Sequence, residues 1–159
     1  MLKNVNKFIL IFSILILSSC MFFMAKDMST ADPMVKITTL PFTGELKDTM
    51  KSISTYVSAA TGLSESFITY YWQSFDEIYC PGCEEANIKS PVFVDLYVPA
   101  FISSDERKVI MVSIAEAIAK YTEYSLEEIF IHTHISQKDQ LFISGDIVTN
   151  WSQVGGPDE

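Results

Sequence analysis

Basic charge is scarce in this sequence. Arg107 is the single arginine, and ten lysines join it against twenty aspartates and glutamates, for a net charge of −9 at pH 7. Such a chain has no cationic footprint for phosphates, which excludes nucleic acid as a partner. Glycine and proline stop at six each. No long Ser, Gly or Pro tract interrupts the body, so no linker divides it into domains. Three cysteines cannot complete a four-thiolate metal centre. What is present, 48% hydrophobic and 19% charged residues over 159 positions, describes one acidic globular domain plus an N-terminal addition, and excludes disordered and fibrous classes.

That addition reads as an address. Lys3 and Lys7 stand before an apolar run from Phe8 to Leu17 broken only by Ser13, and Leu17-Ser18-Ser19-Cys20 follows. These are the charged, apolar and small-residue regions of a secretory signal peptide. The four-residue end resembles a bacterial lipobox, in which the cysteine becomes the acylated first residue of the mature chain. The competing reading is an uncut anchor, because the apolar stretch from Phe8 to Ala25 is nearly long enough to span a bilayer. The expected organisation is a lipoprotein signal peptide over residues 1–19 with lipidation at Cys20, a tether over 20–32, a globular domain over 33–150 and a tail over 151–159. The expected location is the bacterial cell envelope, with the domain held outside the cytoplasm and the membrane as a partner through the lipid.

With Cys20 acylated, Cys80 and Cys83 remain, spaced Cys-Pro-Gly-Cys. An even pair in an exported protein is expected to be oxidised. Pro81 and Gly82 suit the two central positions of a turn, which brings the sulfurs together. The sharper reading is a thiol-disulfide redox site of the Cys-x-x-Cys kind. Against it, Glu84 and Glu85 follow directly and would raise a thiol's pKa.

The body repeats. Pro33-Met-Val-Lys-Ile-Thr-Thr-Leu-Pro41 and Pro91-Val-Phe-Val-Asp-Leu-Tyr-Val-Pro99 are strand-like runs bracketed by prolines and 58 positions apart. A helix follows each. Leu46, Met50, Ile53, Val57 and Ala60 recur at helical spacing up to Gly62, and Ile110, Ile114, Ala117, Ile118 and Tyr121 do so behind the N-cap candidates Ser103 and Ser104. Each helix gives way to a β-rich run, Phe67 to Trp72 and Ile129 to Ile135. The predicted fold is α/β: a duplicated βαβ two-layer sandwich, with a four-stranded sheet and two helices on one face. Leu141-Phe-Ile-Ser-Gly145, then Ile147 and Val148, predict a short closing hairpin or strand, and Trp151 onward a frayed tail.

This duplicated βαβ, with a proline opening each strand, resembles the tautomerase superfamily, which includes 4-oxalocrotonate tautomerase and macrophage migration inhibitory factor. The second half carries the closer likeness: Pro91 to Val98, Ser104-Asp-Glu-Arg-Lys108 opening the helix, Ser125-Leu-Glu-Glu-Ile-Phe-Ile131, and Phe142-Ile-Ser-Gly145. Residues 33–148 as a whole resemble an uncharacterised fused-repeat branch, here beginning Pro33-Met-Val-Lys-Ile37. The resemblance implies a homotrimer, no cofactor, and catalysis by an N-terminal proline acting as general base. Pro33 is the matching position, and it is catalytic only if freed, since its nitrogen is acylated by Asp32. The arginines that bind substrate in 4-oxalocrotonate tautomerase are replaced, with Phe101 and Ile102 near one position and Phe130 near another. Phe142 keeps the character of a pocket wall, and Lys36 is the candidate carboxylate binder. The expected function is a ligand- or partner-binding envelope oligomer. The alternatives are a keto-enol tautomerase using a freed Pro33, and thiol-disulfide exchange at Cys80 and Cys83.

Alternation assigns one further face. Val92, Val94, Leu96 and Val98 make an aliphatic side that should hold the helices, while Phe93, Asp95 and Tyr97 share the other side with Phe130, His132 and His134. A mixed aromatic and polar face of this kind is one a homo-oligomer buries. His132 and His134, at i and i+2, are candidates for acid/base work or a metal, with Asp95 as the best third ligand; the plainer reading is two polar residues at a subunit contact, so no metal site is assigned. Aligning the prolines of the two halves gives an offset of 58, whereas aligning Val35 and Ile37 on Val94 and Leu96 gives 59. The latter sets Lys36 in the role of Asp95 and suggests an ion pair between them.

Overall fold

A computed structural model describes residues 33–143 and 145–154. The residues expected to form the signal peptide, the lipidated Cys20 and the tether lie outside the described residues, as do the last residues of the expected tail. Among the described residues no helix is long and apolar enough to cross a membrane.

Strand β1 (Met34–Thr39) leads to helix α1 (Leu46–Thr61), a 3-10 turn (Glu65–Phe67) and β2 (Thr69–Ser74). A short helix α2 (Pro81–Glu85) joins this half to β3 (Val92–Pro99), α3 (Ser104–Tyr121), a second 3-10 turn (Leu126–Glu128) and β4 (Ile129–Ser136). The sheet order is β2-β1-β3-β4. Both outer pairs are parallel and the central β1–β3 pair is antiparallel, so the pattern reads alike from either edge, as two βαβ units related by a twofold must.

Lys36 faces Asp95 at the centre of the β1–β3 ladder, flanked by Val35 opposite Leu96 and Ile37 opposite Val94. The twofold therefore relates residues 59 apart. Pro33 corresponds to Val92, and Pro91 is not its counterpart; a proline one residue before a strand needs only the fixed φ that the approach to a strand already has.

The helices end where their caps dictate. Gly62 closes α1 at φ 76° and its N–H reaches the Ser58 carbonyl, a left-handed position that favours glycine. Ser103 opens α3 with a reciprocal box: its hydroxyl accepts from the Glu106 N–H at 3.3 Å, and the Glu106 carboxylate accepts from the Ser103 N–H at 2.8 Å. Hydrogen bonding to the Ser103 hydroxyl, and then to its backbone N–H, holds the Glu106 carboxyl below its ordinary value. Ser103→Ala is expected to lower unfolding free energy by about 1 kcal/mol, read as a shift in urea midpoint at unchanged slope.

The core lies between sheet and helices. Val35 and Ile37 from β1, Val92, Val94, Leu96 and Val98 from β3, Ile53 and Val57 from α1, and Ile110, Ile114 and Ile118 from α3 are all nearly or fully buried. Thr39 is a fully buried polar residue, and its hydroxyl donates to the Leu40 carbonyl while accepting from the Trp72 indole at 3.1 Å, so its burial leaves nothing unpaired.

Two local expectations are corrected and a third is extended. The strand expected over Phe67 to Trp72 starts at Thr69, because Ser64 caps a tight turn by accepting from the Ser66 N–H, and the Phe67 N–H bonds the Ser64 carbonyl. The turn expected at Pro81 and Gly82 does form, the Cys83 N–H bonding the Cys80 carbonyl at 2.9 Å, but it does not end there: it is the first turn of α2, since the φ that proline imposes serves both. Trp151 is not frayed: it is 4% exposed and packs edge-on to Phe101 at 5.2 Å. Its cluster with Val148, Leu141 and Ile143 secures the two-stranded hairpin β5 (Phe142–Ile143) and β6 (Asp146–Ile147).

Candidate functional site

Strand alternation decides what the sequence-predicted residues can do together. Pro33 lies in phase with Val35 and Ile37 and is fully buried. Its carbonyl accepts the Thr69 N–H at 3.0 Å, which extends the β1–β2 pairing. Lys36 is out of phase with Pro33 and belongs to the opposite face of β1. Phe142, on the closing hairpin, is 71% exposed. The three residues carried over from the resemblance thus lie on the helix side of the sheet, on its outer side and on a hairpin surface. A cavity of about 310 Å3 opens between the end of α1 and the start of α3, and Thr61, Leu63, Asp105, Glu106, Val109 and Ile110 line it; none of the predicted residues does. Arg107 is committed too, its guanidinium donating to the Ile102 carbonyl.

Cys80 and Cys83 form a disulfide with a Cα–Cα distance of 5.2 Å. Cys80 is the N-cap of α2 and Cys83 is 5% exposed. The ring closes locally within the connection between the two halves.

The outer sheet face brings the chemistry together. Cross-strand register arranges it in rows: Gln73, Thr38, Phe93 and Phe130; Tyr71, Lys36, Asp95 and His132; Thr69, Met34, Tyr97 and His134. Phe93 stacks on Phe130 at 5.6 Å and meets Phe75 at 6.3 Å. Tyr97 stacks on the His134 ring at 4.5 Å, only 14° from parallel. His132 and His134 do share one side of β4, their ring centroids 4.5 Å apart. His134 Nε2 lies 2.8 Å from Asp95 Oδ1, a hydrogen bond that the ring donates when Nε2 carries the proton.

The ion pair suggested between Lys36 and Asp95 is not formed among the described residues. Asp95 reaches diagonally to His134 instead, because β4 presents two imidazoles on the side away from Lys36. Alternation places Tyr97 on this face beside Asp95, and the structure adds its stack on His134, which spacing within one strand does not show.

No protein-family model and no curated protein matches the sequence. Solved structures do match. A fused 4-OT described as a wild-type symmetric trimer is similar at TM-score 0.62 and 11% identity, over 78% of this chain and 99% of that one. Pt0534, solved after inactivation by 2-oxo-3-pentynoate, is similar at TM-score 0.60 and 11% identity, over 72% and 95%. The MIF2 of Leishmania major is similar at TM-score 0.57 and 14% identity, over 73% and 97%. The chain has the fold of the tautomerase and macrophage migration inhibitory factor superfamily, in the fused form that carries both βαβ units on one polypeptide.

Proposed function

We propose that this protein is a lipid-anchored envelope component of tautomerase fold that works by binding a ligand or partner as a homotrimer, without N-terminal-proline catalysis. The observation that carries this reading is the state of Pro33: in amide linkage with Asp32, it is buried in the core phase of β1 and paired to β2 through its carbonyl. A general base needs an accessible lone pair, and an amide nitrogen has none to give. The want of a free guanidinium at the substrate positions points the same way, since Arg107 is held by the Ile102 carbonyl. For the anchor, the support is Leu17-Ser18-Ser19-Cys20 behind its apolar run. For the trimer, it is the fused 4-OT described as a symmetric trimer, together with Tyr71 at 52% and Phe130 at 41% exposure on the outer sheet face, area that a monomer rarely leaves uncovered.

Intact mass of the mature protein, combined with labelling by 2-oxo-3-pentynoate, tests the catalytic part. The expected species begins at an acylated Cys20, lacks the two thiol hydrogens of the Cys80–Cys83 pair, and acquires no adduct at Pro33. A species that begins at Pro33 and takes up the label there would assign a tautomerase instead, and would call for assay of enol-keto substrates.

A further inference from the structure

Asp95, His132 and His134 lie on the outer sheet face that the proposed trimer covers, and packing alone does not explain why three ligating groups gather there. One donor atom from each lies within 4.8 Å of the other two. His132 is the direct cross-strand partner of Asp95, and His134 is already hydrogen-bonded to that carboxylate at 2.8 Å. No hydrogen bond to the His132 ring is present among the described residues, so an Asp–His pair accounts for two of the three groups and leaves the third unexplained.

Support for the three comes from rigid elements. Asp95 and both histidines project from β3 and β4, which pair continuously from Val92–Ile129 to Pro99–Ser136. Tyr97 stacks on His134 and fixes the plane of its ring, as a neighbour that orients a metal ligand does. A tetrahedral ion with ligands at about 2.0–2.2 Å needs donor atoms roughly 3.4 Å apart. The Asp95–His134 contact opens slightly to reach that spacing, and rotation of the exposed His132 ring closes the rest. Partial burial helps, since the His134 and Asp95 side chains are 36% and 33% exposed, and an ion there trades less bulk water for its ligands.

We propose that Asp95, His132 and His134 form a three-ligand site for a divalent first-row transition ion of the zinc class. Two imidazoles and one carboxylate suit such an ion and not calcium or magnesium, which require oxygen-rich sets. Three protein ligands leave one position open to water or to an oxygen of a bound anion. All three ligands come from one chain, so the ligand set needs no residue from a second copy.

Calorimetric titration of the full-length protein with zinc chloride, repeated with calcium chloride, tests this, alongside the visible absorption of added cobalt(II). The expected result is one zinc per chain, no calcium binding, and a cobalt spectrum of four-coordinate intensity. His132→Gln and Asp95→Asn should each weaken zinc binding at least about 100-fold, beyond the 10–100-fold typical of supporting groups around a metal. His132 is exposed, so its variant should unfold at the wild-type urea midpoint, which separates loss of a ligand from loss of the fold. No saturable zinc binding, calcium bound as tightly as zinc, or wild-type zinc affinity in both variants would overturn the proposal.

Discussion

Leu96→Ala is expected to cost about 3–4 kcal/mol of unfolding free energy, the range for a large aliphatic truncation in a core that cannot close around the gap. Leu96 is fully buried on β3, opposite Val35 of β1 and Thr133 of β4. Both neighbouring strands are thus fixed by backbone pairing and cannot slide inward, while α1 and α3 cover the layer from the other side. Domains of this size are stable by roughly 5–15 kcal/mol, so the variant should lose a large fraction of the wild-type stability and show a large fall in urea midpoint. A loss under about 1 kcal/mol would mean that the layer repacks and that the helix–sheet contact is looser than its burial implies.

Phe130→Asp is expected to leave the fold intact and to abolish assembly. Phe130 is 41% exposed on the outer sheet face and stacked on Phe93, so an isolated chain loses one surface aromatic contact worth about 0.5–1.5 kcal/mol. A trimer that buries this face must instead desolvate a carboxylate, which costs several kcal/mol at each contact. Light scattering at micromolar concentration should therefore give a trimer mass for the wild type and a monomer mass for the variant. A wild type that runs as a monomer, or a variant that stays trimeric, removes the outer face from the assembly. Zinc binding by the monomeric variant should persist, because one chain supplies every ligand.

Most of the fold was legible, and the reasons are local. Gly62 and Ser103 mark helix ends because a left-handed residue and a side-chain cap are chemical requirements of those ends, independent of the rest of the chain. The inward set Val92, Val94, Leu96 and Val98 was legible because strand alternation has a period of two. The start of β2 was not, since Phe67 and Ile68 are as strand-like as Thr69, and only the Ser64 cap separates them. Nor did Cys-Pro-Gly-Cys show whether its first turn would propagate.

The site was legible in part for a different reason. That His132 and His134 share a side follows from their spacing alone. That Asp95 belongs to them, and not to Lys36, depends on the register and on which side chain reaches diagonally, properties that appear only once two strands distant in sequence are paired. The commitment of Arg107 to the Ile102 carbonyl, likewise, is a matter of how the chain turns into α3.

Lys36 and Asp95 face one another where the internal twofold passes through the sheet. In an assembly of two identical βαβ chains, a residue at that place would meet its own copy. A lysine would confront a lysine and an aspartate an aspartate, so an ionised group at the midpoint would be self-repelling, and a neutral residue would be the stable choice. Joining the units in one polypeptide abolishes that rule. The two midpoint residues can then differ in sign, one half can accumulate imidazoles that the other lacks, and a surface once obliged to repeat itself can become polarised from β2 to β4. Two βαβ units on one polypeptide thereby have a heterodimer's freedom of sequence, at the fixed stoichiometry of a single chain.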